Sequence, residues 1–148
     1  MDLVHEFTFQ VARSESFPVG AGPSGRRTVA AIGDGWVKGQ RITGTFVGPG
    51  ADWAVLGADG FFGIDVRAQI RTDDGAVILL TYTGSLELNE RAQAALAGCE
   101  TSLDDHYYRT HVRLECGDER YRWVNRTLFV GEGRLIPAGV VYDVYRLT

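Results

Sequence analysis

The chain has 148 residues, a length that suits one domain able to bury a hydrophobic core without disulfides or metal ions. Its formal net charge of −4 argues against a nucleic-acid-binding protein, because such proteins usually present a basic face. The 19 glycines against four prolines indicate many turns, as an all-β chain needs.

The cysteines and the apolar segments predict a cytoplasmic protein. Cys99 and Cys116 form neither a CxxC pair nor a cluster with zinc-ligand spacing, so we expect two reduced thiols. The N-terminus alternates like a strand and lacks the basic and apolar regions of a signal peptide. No apolar segment approaches the length of a membrane span, so we expect no membrane partner.

The first third of the chain predicts three strands. Residues alternate over Leu3–Val11, and a second strand is predicted at Arg26–Ile32. The segment Ser14–Gly25 is rich in Gly, Pro and Ser and predicts a loop, with little resemblance to a phosphate-binding turn. Gly33-Asp34-Gly35 predicts a turn, followed by a strand at Trp36–Val47 with bends at its glycines.

An acid beside a tryptophan follows the next predicted turn, Gly48-Pro49-Gly50. In one interpretation Asp52 caps this turn through backbone amides while Trp53 plugs the end of a barrel. In the other, both side chains line a ligand pocket. The sequence supports the two interpretations equally.

The middle of the chain predicts a hairpin and one helix. Gly60–Arg71 alternates cleanly, Asp73-Asp74-Gly75 is a strong turn signal, and Val77–Thr83 is the returning strand. Asn89 is placed to cap a short helix at Glu90–Ala97, which we expect to pack on the sheet as a lid or buttress.

The last third predicts a second hairpin and a closing strand. Its strands are His106–Glu115 and Tyr121–Val130, joined by the polar turn Cys116–Arg120, and Val140–Leu147 closes the sheet. One face of the first strand is titratable, and one face of the second is aromatic with an amide in its middle. These are the ingredients of a lined pocket.

About nine strands with frequent turn signals predict a sandwich or a closed antiparallel barrel. We favour the barrel, because several strands are charged on one face and apolar on the other, and closure removes exposed edges. A small barrel of this kind can hold one small ligand in its mouth.

Five motifs, in order and spanning nearly the whole chain, resemble the bacterial and fungal family called domain of unknown function 3237. They are Gly50-Ala51-Asp52-Trp53, Asp65-Val66-Arg67, Arg71–Ala76, Tyr107-Tyr108-Arg109-Thr110 and Tyr121–Gly131. The resemblance implies a single lipocalin-like antiparallel β-barrel domain with a central cavity. It implies small-molecule chemistry but little about the reaction.

The chain departs from the pattern of that family on one strand. The family usually has a proline where this chain has Val112 and an aromatic residue where it has Leu114. His111 is also not typical of the family at this position. A role for His111 would therefore be peculiar to this protein.

No known catalytic or cofactor signature occurs in the sequence. There is no nucleophile elbow, HExxH, Walker loop or Rossmann fingerprint. His106 and His111 are five residues apart on one predicted strand, so they lie on opposite faces and predict no shared metal ion. We therefore expect neither a metal nor a cofactor.

What remains is a set of charged and aromatic candidates. Arg67 and Arg109 suit a carboxylate or enolate ligand, and a carboxylate in a dry pocket suits a general base. The candidate catalytic residues are Asp52, Asp65, Arg67, Arg109 and Glu115, and the candidate substrate-binding residues are Trp53, Tyr82, His111, Trp123 and Asn125. In the alternative, the charged residues are solvated strand-face groups that contribute under ~1 kcal/mol each.

Two functions from different classes follow. The first is a cofactor-independent isomerase, cyclase or lyase that binds a small carbonyl- or carboxylate-bearing molecule in the barrel. The second is a binding or carrier protein with the same cavity and no turnover. A carboxylate and an arginine at one pocket wall would favour the enzyme, and a wholly apolar cavity would favour the carrier. The sequence leaves open whether the chain forms a homo-oligomer.

Overall fold

Eight antiparallel strands form a closed barrel in the computed structural model, which describes residues 1–148. The strands are β1 (Leu3–Gly22), β2 (Gly25–Gly39), β3 (Thr43–Leu56), β4 (Phe61–Thr72), β5 (Val77–Glu87), β6 (Tyr108–Glu115), β7 (Phe129–Ile136) and β8 (Gly139–Leu147). Each strand pairs with its neighbour in the chain, and β8 pairs back onto β1. The predicted all-β barrel is confirmed, with eight strands rather than about nine.

Two glycine-rich segments predicted as turns are bulges inside long strands. β2 runs through Gly33-Asp34-Gly35, where its register with β3 shifts, and β3 runs through Gly48-Pro49-Gly50, where its register with β4 shifts. The strand predicted at Trp36–Val47 is instead broken, because β2 ends at Gly39 and β3 begins at Thr43. Bulges bend strands without ending them, which is how eight strands cover most of the chain.

The loop predicted at Ser14–Gly25 is also wrong, because β1 continues to Gly22 and pairs there with β2. Pairing of β1 with β8 stops at Ala12, and after the bond from the Arg13 N–H to the carbonyl of Ala138 the outer edge of β1 is free. A free edge tolerates Pro18, which cannot donate a ladder hydrogen bond. The register shifts on either side of this segment absorb its irregularities.

The predicted hairpin of the last third is wrong in its second strand. The chain forms a 3₁₀ helix at Glu119–Arg126, and β7 begins only at Phe129. The Asp118 side chain caps this helix by accepting the N–H of Arg120. The buried residues of the segment, Tyr121 and Val124, are three residues apart, which is a helical spacing.

The predicted helix is confirmed as α1 (Glu90–Leu96), with Asn89 Oδ1 accepting from the N–H of Ala92 at 2.9 Å. The segment after α1 is fixed to the barrel at Thr101. Its hydroxyl donates to the carbonyl of Leu135 at 2.9 Å and lies 3.1 Å from Nε2 of the buried His106. This attachment holds the α1 segment against one end of the barrel.

Aromatic rings fill the centre of the barrel in a continuous column. Successive ring centroids lie 6.2, 6.3, 6.4, 4.9 and 5.0 Å apart along Trp123, Phe129, Phe7, Phe9, Tyr142 and Tyr108. The four central rings of this column are fully buried. The column therefore separates the two ends of the barrel.

Candidate functional site

A cavity of about 270 Å³ opens at the end of the barrel that carries α1. All eight strands contribute to its wall, α1 contributes Leu96, and 15 of its 19 lining residues are hydrophobic. Its volume lies near the lower end of the range for small-molecule sites. The cavity suits a small, largely apolar molecule.

Asp52 is the only acidic residue in the wall of this cavity. Its Oδ1 accepts a hydrogen bond from the backbone N–H of Asp65 at 3.1 Å. Burial raises the pKa of the Asp52 carboxyl to about 6, and the hydrogen bond from Asp65 acts in the opposite direction with a smaller effect. Near neutral pH this carboxyl can therefore both accept and return a proton.

Three buried tyrosines surround the inner end of the cavity. Tyr82 and Tyr108 line it, and the ring of Tyr142 packs behind them, with centroids 5.2 and 5.0 Å from theirs. Burial raises the pKa of all three phenols, and the Asp52 carboxylate raises them further. The three phenols therefore stay protonated, and each keeps an O–H that can donate a hydrogen bond.

The hydroxyl of Tyr142 is buried and has no hydrogen-bond partner. A buried hydroxyl without a partner costs free energy, so such groups are rare and call for an explanation. In this protein the orphaned group lies in the same tyrosine cluster as the cavity-lining phenols.

The only arginine of the cavity wall, the exposed Arg13, lies on β1.

Asp52 and Tyr82 are the sequence-predicted site residues that line the cavity. Asp65, Arg67 and His111 line a groove on the outside of the barrel instead. Alternation explains their place, because their neighbours Val66 and Val112 fill the interior. Asp65 and Arg67 thus cannot contact a ligand in the cavity, and neither can His111.

Arg109 and Glu115, predicted as catalytic, also lie outside the barrel. The Arg109 side chain is 40% exposed, and its Nη2 lies 2.8 Å from Oε1 of Glu132. Glu115 is exposed at the end of β6. The structure therefore places Arg109 outside the cavity whose ligand it was expected to anchor.

The remaining predicted residues lie away from the cavity. Trp53 points outward and is 40% exposed. Trp123 lies at the opposite end of the barrel beneath the guanidinium of Arg41, 3.6 Å from the ring centroid. The amide of Asn125 bonds both the N–H and the carbonyl of Cys116, which closes the loop before the 3₁₀ helix.

Tyr108, Tyr142 and Arg13 are the site residues that the sequence reasoning missed. Alternation had already separated Tyr108 from the titratable face of its strand, together with apolar residues that prove to be interior. The same signal would have placed Tyr142 inside, between Val140 and Val144. Arg13 fell between the strand predicted at Leu3–Val11 and the loop predicted at Ser14–Gly25, so no prediction covered it.

Comparison with known proteins gives full-length matches. Residues 1–147 match the family described as "Protein of unknown function (DUF3237)". A UPF0311 protein of Rhodopseudomonas palustris (strain TIE-1) is 27% identical over 153 residues, which cover 99% of this chain and 97% of that protein.

Solved structures share the barrel. A beta-barrel like protein from Acinetobacter baumannii AYE superimposes with a TM-score of 0.86 at 27% identity, over 99% of this chain and 96% of that one. An enzyme from Penicillium herquei superimposes with a TM-score of 0.75 at 18% identity, over 99% and 94% of the two chains. The latter likeness concerns the fold alone.

No helix of the chain combines the length and the hydrophobicity that crossing a bilayer requires.

Proposed function

Since the chain belongs to the DUF3237 family, whose description assigns no activity, we propose its function from the chemistry of its cavity. The proposed function is that of a cofactor-independent acid–base enzyme that acts on a small carbonyl-bearing molecule. The observation that carries this proposal is the Asp52 carboxyl, held with a pKa of about 6 in an apolar wall beside neutral phenols. A base is most effective when its pKa lies near the working pH.

Each group has a defined role in the proposed reaction. Ionised Asp52 removes a proton from the carbon next to the carbonyl, and the electron pair moves onto the carbonyl oxygen. Tyr82 or Tyr108 donates a hydrogen bond to that oxygen and stabilises the enolate. Protonated Asp52 then returns the proton at another carbon, which isomerises the substrate, or delivers it to a leaving group, which eliminates it.

The low polarity of the wall supports this chemistry in two ways. Charge–dipole interactions are stronger where water is excluded, so a phenol stabilises an enolate more than it would in solution. The apolar residues also favour a substrate whose body is hydrophobic. The Penicillium herquei protein with this barrel is itself described as an enzyme, so the fold is compatible with catalysis.

Hydrogen–deuterium exchange tests the proposal without knowledge of the natural substrate. The protein is incubated in D₂O with a panel of small enolisable ketones, and loss of the α-proton signal is followed by NMR. We expect exchange in proportion to enzyme concentration, reduced about 100-fold or more in Asp52→Asn. Asp65→Asn is the matched control, because it neutralises a neighbouring carboxylate outside the cavity. Equal exchange by wild type and Asp52→Asn would overturn the assignment of Asp52.

The second candidate, a carrier without turnover, is favoured by the hydrophobic majority of the cavity wall. A carrier would bind ketones of the panel without catalysing exchange, and Asp52→Asn would bind them as tightly or more tightly. Calorimetry on the same ketones, compared with their exchange rates, therefore separates the two functions.

A further inference from the structure

A second concave surface lies at the end of the barrel opposite the cavity. This groove has a volume of about 770 Å³ and lies between the 3₁₀ helix and the C-terminal part of β8. Its lining residues are Met1, Arg41, Trp123, Arg126, Thr127, Leu128, Arg146, Leu147 and Thr148. Three of them are arginines, and none carries an acidic side chain. We call this surface the arginine groove.

One buried carboxylate orders two of the three arginines. Glu6 is 5% exposed, and both of its oxygens are occupied. Arg41 approaches them through Nε and Nη2, each at 2.7 Å, and Arg146 through Nε at 2.9 Å. Arg41 also stacks on Trp123. A bidentate, stacked guanidinium has lost most of its rotamer freedom before any ligand arrives, so binding costs less entropy.

Most of the N–H donors of these two arginines remain free. Glu6 uses Nε and one Nη of Arg41, and only Nε of Arg146. The other N–H groups have no acceptor within the protein. The side chain of Arg126 is exposed and makes no hydrogen bond or ion pair with any other residue. Three guanidinium charges are thus opposed by the single charge of Glu6.

We propose that the arginine groove binds a compact dianion of the phosphate type, either free phosphate or the phosphate of a monoester. The excess of two positive side-chain charges matches a dianion, and guanidinium forks fit the oxygen geometry of phosphate. A monocarboxylate would leave one of the two excess charges unbalanced. The aromatic column between the groove and the cavity makes this site independent of the reaction proposed for Asp52.

Isothermal titration calorimetry with inorganic phosphate tests the proposal at pH 7.5 and constant ionic strength. We expect saturable binding of one phosphate per chain, and acetate at least about tenfold weaker because it carries a single charge. Phenyl phosphate is the second probe: tighter binding than inorganic phosphate assigns the site to a monoester, and equal or weaker binding assigns it to free phosphate. Acetate that binds as tightly as phosphate would overturn the assignment to a dianion.

Arg126→Gln is the informative variant. The Arg126 side chain makes no bond to another residue, so we expect the substitution to leave the fold intact. We expect phosphate affinity to fall about tenfold or more. Arg122→Gln is the matched control on the same 3₁₀ helix, since Arg122 pairs with Glu119 and does not line the groove. Asp52→Asn should bind phosphate like wild type. Equal affinities of the Arg126 and Arg122 variants, or no saturable binding by wild type, would overturn the proposal.

Discussion

The backbone N–H of Asp65 donates a hydrogen bond to Oδ1 of Asp52 across the β3–β4 pair. The two acidic residues are therefore in contact, although their side chains lie on opposite sides of the barrel wall. Asp52 lines the cavity, and Asp65 lies in the outer groove. This arrangement holds a partly buried carboxyl in place with one neutral donor and no cation. The raised pKa of Asp52 follows from that environment.

Asp52→Asn should therefore stabilise the protein at high pH. The pKa of Asp52 is higher in the folded chain than in the unfolded chain, so its ionisation lowers stability as the pH rises from about 4 to 6. Asparagine does not ionise, and we expect the variant to be more stable than wild type by about 1–3 kcal/mol at pH 8.

Urea unfolding of wild type and Asp52→Asn at pH 4 and pH 8 measures this difference. It should fall well below its pH 8 value at pH 4, where the wild-type carboxyl is protonated in the folded chain and about half protonated in the unfolded chain. The outer-face variant Asp65→Asn provides the comparison at both pH values. An Asp52→Asn variant less stable than wild type at pH 8 would contradict the raised pKa.

Tyr142→Phe removes a hydroxyl that has no partner. Because no hydrogen bond is lost and a desolvated polar group disappears, we expect the free energy of unfolding to stay within about 1 kcal/mol of wild type or to rise. Tyr121→Phe is the matched comparison, since the Tyr121 hydroxyl donates to Asp74 and its removal should lower stability. Denaturant unfolding midpoints of the two variants and wild type measure these changes in stability. A large loss of stability in Tyr142→Phe would mean that the Tyr142 hydroxyl has a hydrogen-bond partner.

Arg109→Met should leave binding in the cavity unchanged. The Arg109 guanidinium forms an exposed ion pair with Glu132 on the outer face, and such pairs contribute about 0–1 kcal/mol to stability. The affinity of any ketone that wild type binds, measured by calorimetry, should therefore be equal in the variant. A loss of affinity by tenfold would mean that Arg109 reaches the ligand.

Acid should weaken the attachment of the 3₁₀ helix. Hydrogen bonds from Arg120 lower the pKa of Asp118 to about 2, and the Thr72 hydroxyl is the main group that lowers the pKa of Asp74. A carboxylate with a depressed pKa contributes stability above its unfolded value near 4, and that contribution is lost as the pH falls towards 2.

Wild type should accordingly lose stability between pH 4 and 2, and Asp118→Asn should show a smaller decrease over this range. Unfolding by urea at half-unit pH steps compares the two proteins. Parallel curves would show that Asp118 does not contribute to the acid transition.

Strand alternation was enough to predict the faces of the strands but not which face bounds the cavity. In β6 the separation of Tyr108 and Val112 from Arg109 and His111 agrees with the structure. The titratable face suggested a pocket, whereas the apolar face is the one that points inward. A cavity needs space rather than charge, and space depends on how all eight strands curve around it.

Local irregularities limited the rest of the prediction. The bulge between Val47 and Ala51 resets the alternation of β3, so counting along the strand could not show that Asp52 points inward while Trp53 points outward. In the 3₁₀ helix, Tyr121 and Val124 have a helical spacing, but the alternation of Tyr121 with Trp123 also fits a strand. The Asp118 side chain caps the helix and so favours the helix over the strand, and this contact is visible only in the three-dimensional structure.

The pairing of β1 with β8 means that the barrel can be completed only when the last strand has left the ribosome. Until then β1 presents an unpaired row of backbone groups from Leu3 to Ala12, the segment that β8 later covers. Contacts between such distant parts of a chain form slowly and leave edges open to other molecules. Premature termination before Gly139 should therefore yield a protein that assembles strand to strand with its copies instead of folding alone.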